Sequence, residues 1–414
     1  MLQPNNASTT AARPMRQRSV HQFAEQGAHV PFHRPSLGEE EETEILHTLR
    51  SGWLTTGAKT RCFEEEFAAY VGARHAVALN SCTAALHLAL VVHGVGPGAG
   101  PGDEVITTPM TFASTVNVIE HVGARPVFVD VLPDTLNMDP VKLSKAMTPR
   151  TRAVIPVHFA GHPCDMDAVR KIADAYGVPV IEDAAHAIES IYRGRKIGSI
   201  SETTCFSFYA TKNITTGEGG MITTNDDALA ERLRILSLHG INVDAWQRYR
   251  RGEYKHWDIV EAGFKYNMAD IQASLGIHQL ARIEQFRQIR KAWTAMYDEA
   301  FEDLPEVVTL QRHDDVECAY HLYVVRFVTE HLSAPRDRIM ELLQERGVGI
   351  GVHFRPVHLH PYYRDKYQFE PGAFPVAEYA GERVISLPLY PAMTIHDLQH
   401  VIGQVRELVR SLRK

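Results

Sequence analysis

The 414-residue chain is poor in cysteine, with only Cys62, Cys82, Cys164, Cys205 and Cys318. Their number is odd and no close pair has metal-ligand spacing, which argues against a disulfide framework. Free thiols in a reducing cytoplasm are expected. No apolar run approaches the roughly 20 residues that a membrane-spanning helix needs. Positive charge is not in excess either: 43 Lys and Arg stand against 50 Asp and Glu, a formal net charge of −7. That balance argues against a general nucleic-acid binder. No Gly-x-Gly-x-x-Gly follows a strand-like run, and no Gly-Lys-Ser/Thr phosphate loop occurs. His353, His358 and His360 crowd one loop but lack a closed ligand set and supporting cysteines, so no metal is expected. Residues 1–29 are rich in Ser, Thr, Asn, Gln and Arg without an apolar core segment. They read as a disordered tail rather than a secretory signal.

Apolar content is ordinary for a globular chain at 44%, and the length allows two domains. Strand-like and helix-like runs alternate from His75 to Glu182, which implies a mainly parallel sheet covered on both faces. Ser36 to Glu39 has the spacing of a capping box. The helix it opens is expected to turn Ile45, Leu46 and Leu49 inward. A second helix should bury Phe63, Phe67, Tyr70 and Val71 and end at Gly72. After about residue 290 the pattern becomes α+β, with strands at Tyr320–Val328 and Val348–Val352 and a last helix at Thr394–Leu412. The expected division is a tail at 1–29, a large domain at 30–290 and a smaller one at 291–414.

The run Cys205 to Gly220 stands out. It reads as an apolar strand, a polar turn holding Lys212, and a Gly-rich return into a second apolar run, Met221 to Thr224. A lysine between two buried elements is unusual. Desolvation lowers its pKa and suits it to Schiff-base chemistry. A surface lysine in a hairpin loop explains this stretch equally well. The run Val178 to Asp183 is an apolar strand ending in an acid. At the carboxyl end of a parallel strand, Asp183 would face a ligand crevice and could hold a pyridine nitrogen protonated. Alone, it could as well be a helix N-cap. Ser81-Cys82-Thr83 follows a strand and precedes a helix, so its backbone N–H groups can take a phosphate or simply be capped.

Seven motifs in order carry a resemblance: Ser51–Gly57, Asn80–His87, Thr108–Phe112, Ile181–Ala187, Ser207–Thr215, Gly263–Asn267 and Val352–Pro356. Together they resemble the DegT/StrS-type nucleotide-sugar aminotransferases. Within that family the chain looks most like the branch that makes UDP-4-amino-4-deoxy-L-arabinose. The resemblance implies a pyridoxal phosphate (PLP) enzyme of fold type I, the aspartate aminotransferase-like α/β fold. It implies Lys212 as the Schiff-base lysine and Asp183 on the pyridinium nitrogen. Phe112 would stack on the ring and His186 would sit beside it. Cys82, Thr83 and Ser207 would hold the phosphate, with Asn267 reaching the partner's cofactor in a homodimer with shared sites. Thr55, Thr56, Gly57 and His353 would line the substrate site. The substrates implied are L-glutamate, which leaves as 2-oxoglutarate, and a nucleotide-linked keto sugar aminated at C4. A 3-keto sugar is the alternative. A PLP-dependent sugar dehydratase would carry histidine at the lysine position, and Lys212 argues against it. A silent relative with a scaffold role would not be expected to keep Lys212, Asp183 and Ser207 together.

Overall fold

A computed structural model describes residues 29–95, 102–242 and 256–414. Residues 1–28 of the expected tail, residues 96–101 of a Gly/Pro-rich loop, and residues 243–255, which hold most of a basic Trp246–Trp257 insert expected to be a solvated loop, lie outside those residues. Helices α1 (Glu39–Ser51) and α2 (Ala58–Val71) come first. Strand β1 (His75–Leu79) and helix α3 (Cys82–Val92) follow, then β2 (Glu104–Thr107), α4 (Ala113–His121), β3 (Arg125–Phe128), α5 (Pro140–Ala146) and β4 (Thr151–Val154). The chain continues through α6 (Met166–Tyr176), β5 (Ile181–Asp183), the short pair β6 (Ile191–Tyr192) and β7 (Arg195–Lys196), then β8 (Thr203–Ser207) and β9 (Gly220–Thr224).

The strands β3-β2-β4 and β5-β8-β9-β1 form one sheet, joined by parallel bridges Val154 to Val180 and Val157 to Asp183. Only β9 runs against its neighbours. Side chains alternate between two cores. Phe206 and Met221 join Phe63 and Phe67 of α2 on one face. Cys205 and Ile222 join Leu86 and Leu88 of α3 on the other. Both faces are covered, so the strands read as nearly continuous apolar runs.

Helices α7 (Asp227–Ser237), α8 (Asp270–Ala281) and α9 (Ile283–Phe301) lead out of the sheet. The last stretch holds β10 (Val307–Thr309), β11 (Val316–Glu317), β12 (Tyr323–Phe327), α10 (Arg336–Glu345), α11 (Pro361–Tyr367), α12 (Pro375–Gly381), β13 (Val384–Leu387) and α13 (Ile395–Leu412). β10, β12 and β13 form an antiparallel sheet, whereas β11 pairs with β6. This stretch has its own core around Tyr323, Val325, Leu343 and Val405. Helix α9 serves both regions: Ile283 and Phe286 lie in the core of the large sheet, Tyr297 and Phe301 in the C-terminal one. The packing therefore changes within a continuous helix, between Phe286 and Tyr297. Val30 also joins the C-terminal core and pairs with Val348.

Three local expectations are corrected. Gly38, not Ser36, is the N-cap of α1, and its backbone N–H donates to Glu41 Oε2 at 2.8 Å. Leu46 and Leu49 are exposed at 48% and 47%; the face α1 turns inward carries Glu41 and Thr48 instead. Glu41 is held there by Gln279 and Arg282, polar partners that a hydrophobic pattern does not reveal. Val348–Val352 forms bridges rather than a strand, because it lies between the N-terminal segment and Ser386.

Candidate active site

A cavity of about 390 Å³ opens where the parallel strands end. That is where open α/β sheets bind ligands, and the size suits a small molecule. Eight of the residues singled out from sequence line it: Cys82, Thr83, Phe112, Asp183, His186, Ser207, Lys212 and His353.

Lys212 sits in the turn between β8 and β9, its backbone N–H bonded to the Tyr209 carbonyl at 2.9 Å. Burial lowers its pKa to about 8, against the opposing pull of Cys82 and Asp183. The amine is thus more easily freed of its proton than an ordinary lysine. Asp183 ends β5. Its Oδ2 accepts the Thr115 hydroxyl at 2.7 Å and its Oδ1 accepts the Ala185 N–H at 3.1 Å. Burial nevertheless holds its carboxyl above the usual range. A cation brought against it would restore the charged form.

Helix α3 presents its N-terminus to the same cavity. Ser81 caps it by accepting the Ala84 N–H at 3.1 Å. The first-turn N–H groups of Cys82 and Thr83 have no carbonyl partner inside the helix and point to its positive end. Gly220 lets β9 pass close beneath. A Cβ there would stand 2.4 Å from the Ser81 carbonyl carbon and 2.6 Å from the Cys82 nitrogen. The buried Ser207 adds a hydroxyl.

The mouth is aromatic. Phe112 is 64% exposed and lies 6.3 Å, ring to ring, from Phe354. His186 is stacked near Phe354 and lies 4.4 Å from the His321 ring. His353 rests on Phe32, with Nδ1 2.8 Å from the Ser386 hydroxyl. Burial pushes the pKa of His186 and His321 far down and that of His353 to about 3, and the Lys212 charge acts the same way. All three rings are neutral near pH 7.

The other four residues are elsewhere. Thr56 and Asn267 line a separate cavity of about 270 Å³. The Asn267 amide donates to Thr56 Oγ1 at 2.6 Å, and the Gly57 N–H donates to Asp270 Oδ1 at 2.7 Å. Thr55, Thr56, Gly57 and Asn267 thus form one cluster, held by α8, that does not line the Lys212 cavity. The three histidines of the C-terminal loop also diverge: His358 bonds Glu378 at 3.1 Å while His353 bonds Ser386. Among the described residues no group of three or more His, Cys, Asp or Glu could hold a metal ion.

Sequence reading missed Thr115, His321 and Phe354. Thr115 had a local clue, being two residues into the helix that follows the Thr108–Phe112 motif. Phe354 had one too, standing beside His353 in the Val352–Pro356 motif, whereas His321 arrives from the C-terminal region with nothing local to mark it.

The cavity fits pyridoxal phosphate. It combines a desolvated lysine, a buried carboxylate, a helix N-terminus, and a buried His186 Nδ1 with no hydrogen-bond partner. The model of the DegT/DnrJ/EryC1/StrS aminotransferase family matches residues 35–406. The chain belongs to this family. It is 49% identical over 382 residues to the spore coat polysaccharide biosynthesis protein SpsC of Bacillus subtilis, covering 92% of this chain and 97% of SpsC. Spr1654 from Streptococcus pneumoniae, in its PLP form, superposes with a TM-score of 0.84 at 35% identity, covering 93% of this chain and all of that one. The sugar aminotransferase CalS13 from Micromonospora echinospora gives 0.80 at 29% identity, covering 91% and 99%. This DegT/StrS chain is therefore a PLP-dependent sugar aminotransferase of fold type I.

Proposed function

We propose that this transaminase moves the amino group of L-glutamate to the C4 ketone of a nucleotide-linked sugar, in the cytoplasm, as a homodimer with shared sites. The observation that carries the reading is Lys212 and Asp183 on one cavity with the α3 N-terminus. The motif likeness to the arabinose-type branch supports C4.

Pyridoxal phosphate, when bound, supplies an aldehyde that carries the amino group and a pyridinium ring that accepts electrons. Lys212 Nζ would hold it and, once free, take the proton from the donor α-carbon and return it as an acid. An amine with a pKa near 8 suits both roles at neutral pH. Asp183 would keep the ring nitrogen protonated through a charge-assisted hydrogen bond. The α3 N-terminus and Ser207 would hold the phosphate, and Phe112 would cover one ring face. His186 and His353, both neutral, would orient polar groups without adding charge. Thr55, Thr56, Gly57 and Asn267 would serve the partner's site. Exposed Leu46, Leu49 and Leu54 offer the kind of apolar surface that a two-fold interface covers. Among the described residues no helix is long and apolar enough to cross a membrane.

The test is mass spectrometry of matched nucleotide 4-keto and 3-keto sugars incubated with enzyme and glutamate. Amination of the 4-keto sugar is expected, with NMR locating the new amine. Preferred turnover of the 3-keto isomer would overturn the C4 assignment.

A further inference from the structure

Behind Lys212 lies a polar cluster that the chemistry above does not use. Arg290 is one of the largest fully buried side chains in the protein. It comes from the middle of α9, between the residues that pack on the large sheet and those that pack in the C-terminal core. Its Nη2 donates to the buried carboxylate of Glu189. The other oxygen of Glu189 accepts the side-chain amide of Asn213, the residue directly after Lys212. Arg290 Nε and Nη2 also reach the Ala319 carbonyl, at 3.4 and 3.3 Å, and the Asn213 amide reaches the same oxygen at 3.4 Å. Ala319 lies in the strand-free segment that brings His321 against His186. The Asn213 orientation is determined by these partners, since a flipped amide would set its oxygen against two acceptors.

We propose that Asn213, Glu189 and Arg290 form a positioning network for Lys212, with Arg290 tying the lysine turn to the point where α9 passes between the two cores. The inference rests on the reading that Lys212 moves the proton. The physical reason is distance. Once released, the Lys212 amine must return to within about 3–3.5 Å of the reacting carbon. Its side chain is flexible, so the backbone of the turn must be stationary. Asn213 holds that backbone one residue away, through a buried carboxylate that a buried guanidinium orients in turn. A displacement of roughly 1 Å is enough to lower a rate about a hundredfold. None of the three residues lines the cavity, so they act through Lys212 and not on the substrate.

Asn213→Ala is the main variant, because it leaves the Glu189–Arg290 pair intact. Arg290→Lys keeps the charge but loses the fork. Two measurements decide. The first follows the visible absorbance of the holoenzyme during the glutamate half-reaction, with ordinary and α-deuterated glutamate. The expected result for Asn213→Ala is a rate ten- to a hundredfold lower, little change in the glutamate KM, and a larger isotope effect than in the unaltered protein. The second is amide hydrogen exchange of residues 209–216 in the full-length, cofactor-free chain. Faster exchange is expected there, with the rest of the large sheet unchanged. An unchanged isotope effect together with unchanged exchange in that turn overturns the proposal, whatever the rate does. So does exchange that accelerates throughout the protein, which would mark a general loss of stability. If the unaltered protein does not react with glutamate, the donor assignment fails while the exchange measurement still decides the network.

Discussion

The Thr115 hydroxyl donates to Asp183 Oδ2 across 2.7 Å, and Thr111 stands 2.8 Å behind it. Helix α4 thereby aims the acid at the end of β5. Phe112 is the N-cap of the same helix, so one element sets both the acid and the aromatic at the mouth. Thr115→Val removes a hydrogen bond to a group that becomes charged when a pyridinium approaches. Such bonds contribute about 1.5–3 kcal/mol. The cofactor dissociation constant, measured by fluorescence titration, is expected to rise about ten- to a hundredfold. Asp183→Asn should weaken the cofactor further and slow the half-reaction more than any change at Thr115.

The pH behaviour of the cofactor-free protein follows from Lys212. Its folded pKa of about 8 lies below the ordinary lysine value, so the folded state binds fewer protons than the unfolded state between pH 8 and the ordinary value. Stability from this group therefore rises with pH across that window. Below pH 8 the desolvated charge opposes folding. Lys212→Met should raise the melting temperature at pH 7 and leave it nearly unchanged above pH 10.5, where the amine is neutral in both states. It should also abolish covalent attachment of the cofactor, read by borohydride reduction and peptide mapping. In the unaltered protein the attachment rate should climb with pH and level off above about 8.

Gly220 is a contact requirement. A methyl group there would meet backbone atoms of Ser81 and Cys82 at 2.4–2.6 Å, and neither can rotate away. Gly220→Ala should destabilise the protein by about 1–3 kcal/mol, the usual range for overpacking. It should also tilt the α3 N-terminus. Urea denaturation gives the first effect, and phosphate or cofactor titration gives the second.

Ser386 steadies His353. Its hydroxyl lies 2.8 Å from Nδ1, and that hydrogen bond fixes the orientation of the ring. Ser386→Ala should raise the sugar KM several-fold, in line with about 0.5–1.5 kcal/mol for a neutral hydrogen bond. The glutamate half-reaction should change little. Steady-state kinetics with each substrate varied in turn separates the two.

Shared sites can be tested by complementation. Lys212→Ala and Asn267→Ala homodimers should each be weak. Mixed dimers should regain activity, because one of the two sites then has both groups. Absence of recovery after proven subunit exchange would count against a shared site.

Much of the large sheet was legible because its signals are local. β8, β9 and the Lys212 turn lie within one short run, and alternate residues such as Cys205 and Phe206 supply both cores. Asp183 was legible for the same reason. Contacts made across long stretches of chain were not. Glu41 is buried because Gln279 and Arg282 reach it, and no pattern near Glu41 shows that. Leu46 and Leu49 have helical spacing, yet spacing alone does not distinguish a face turned to the protein's own core from one turned outward. Asn267 pairs with Leu79 at the end of β1, a contact between distant stretches of chain that its motif does not reveal.

Helix α9 contributes apolar side chains to both cores without interruption. Neither region can therefore be excised at residue 290 and keep its packing. A fragment ending there would stop in mid-helix and leave Val30 without the core it joins, while the C-terminal fragment would start with half a helix and no Val30. The two cores should melt as one cooperative unit, and partial proteolysis should yield no stable half.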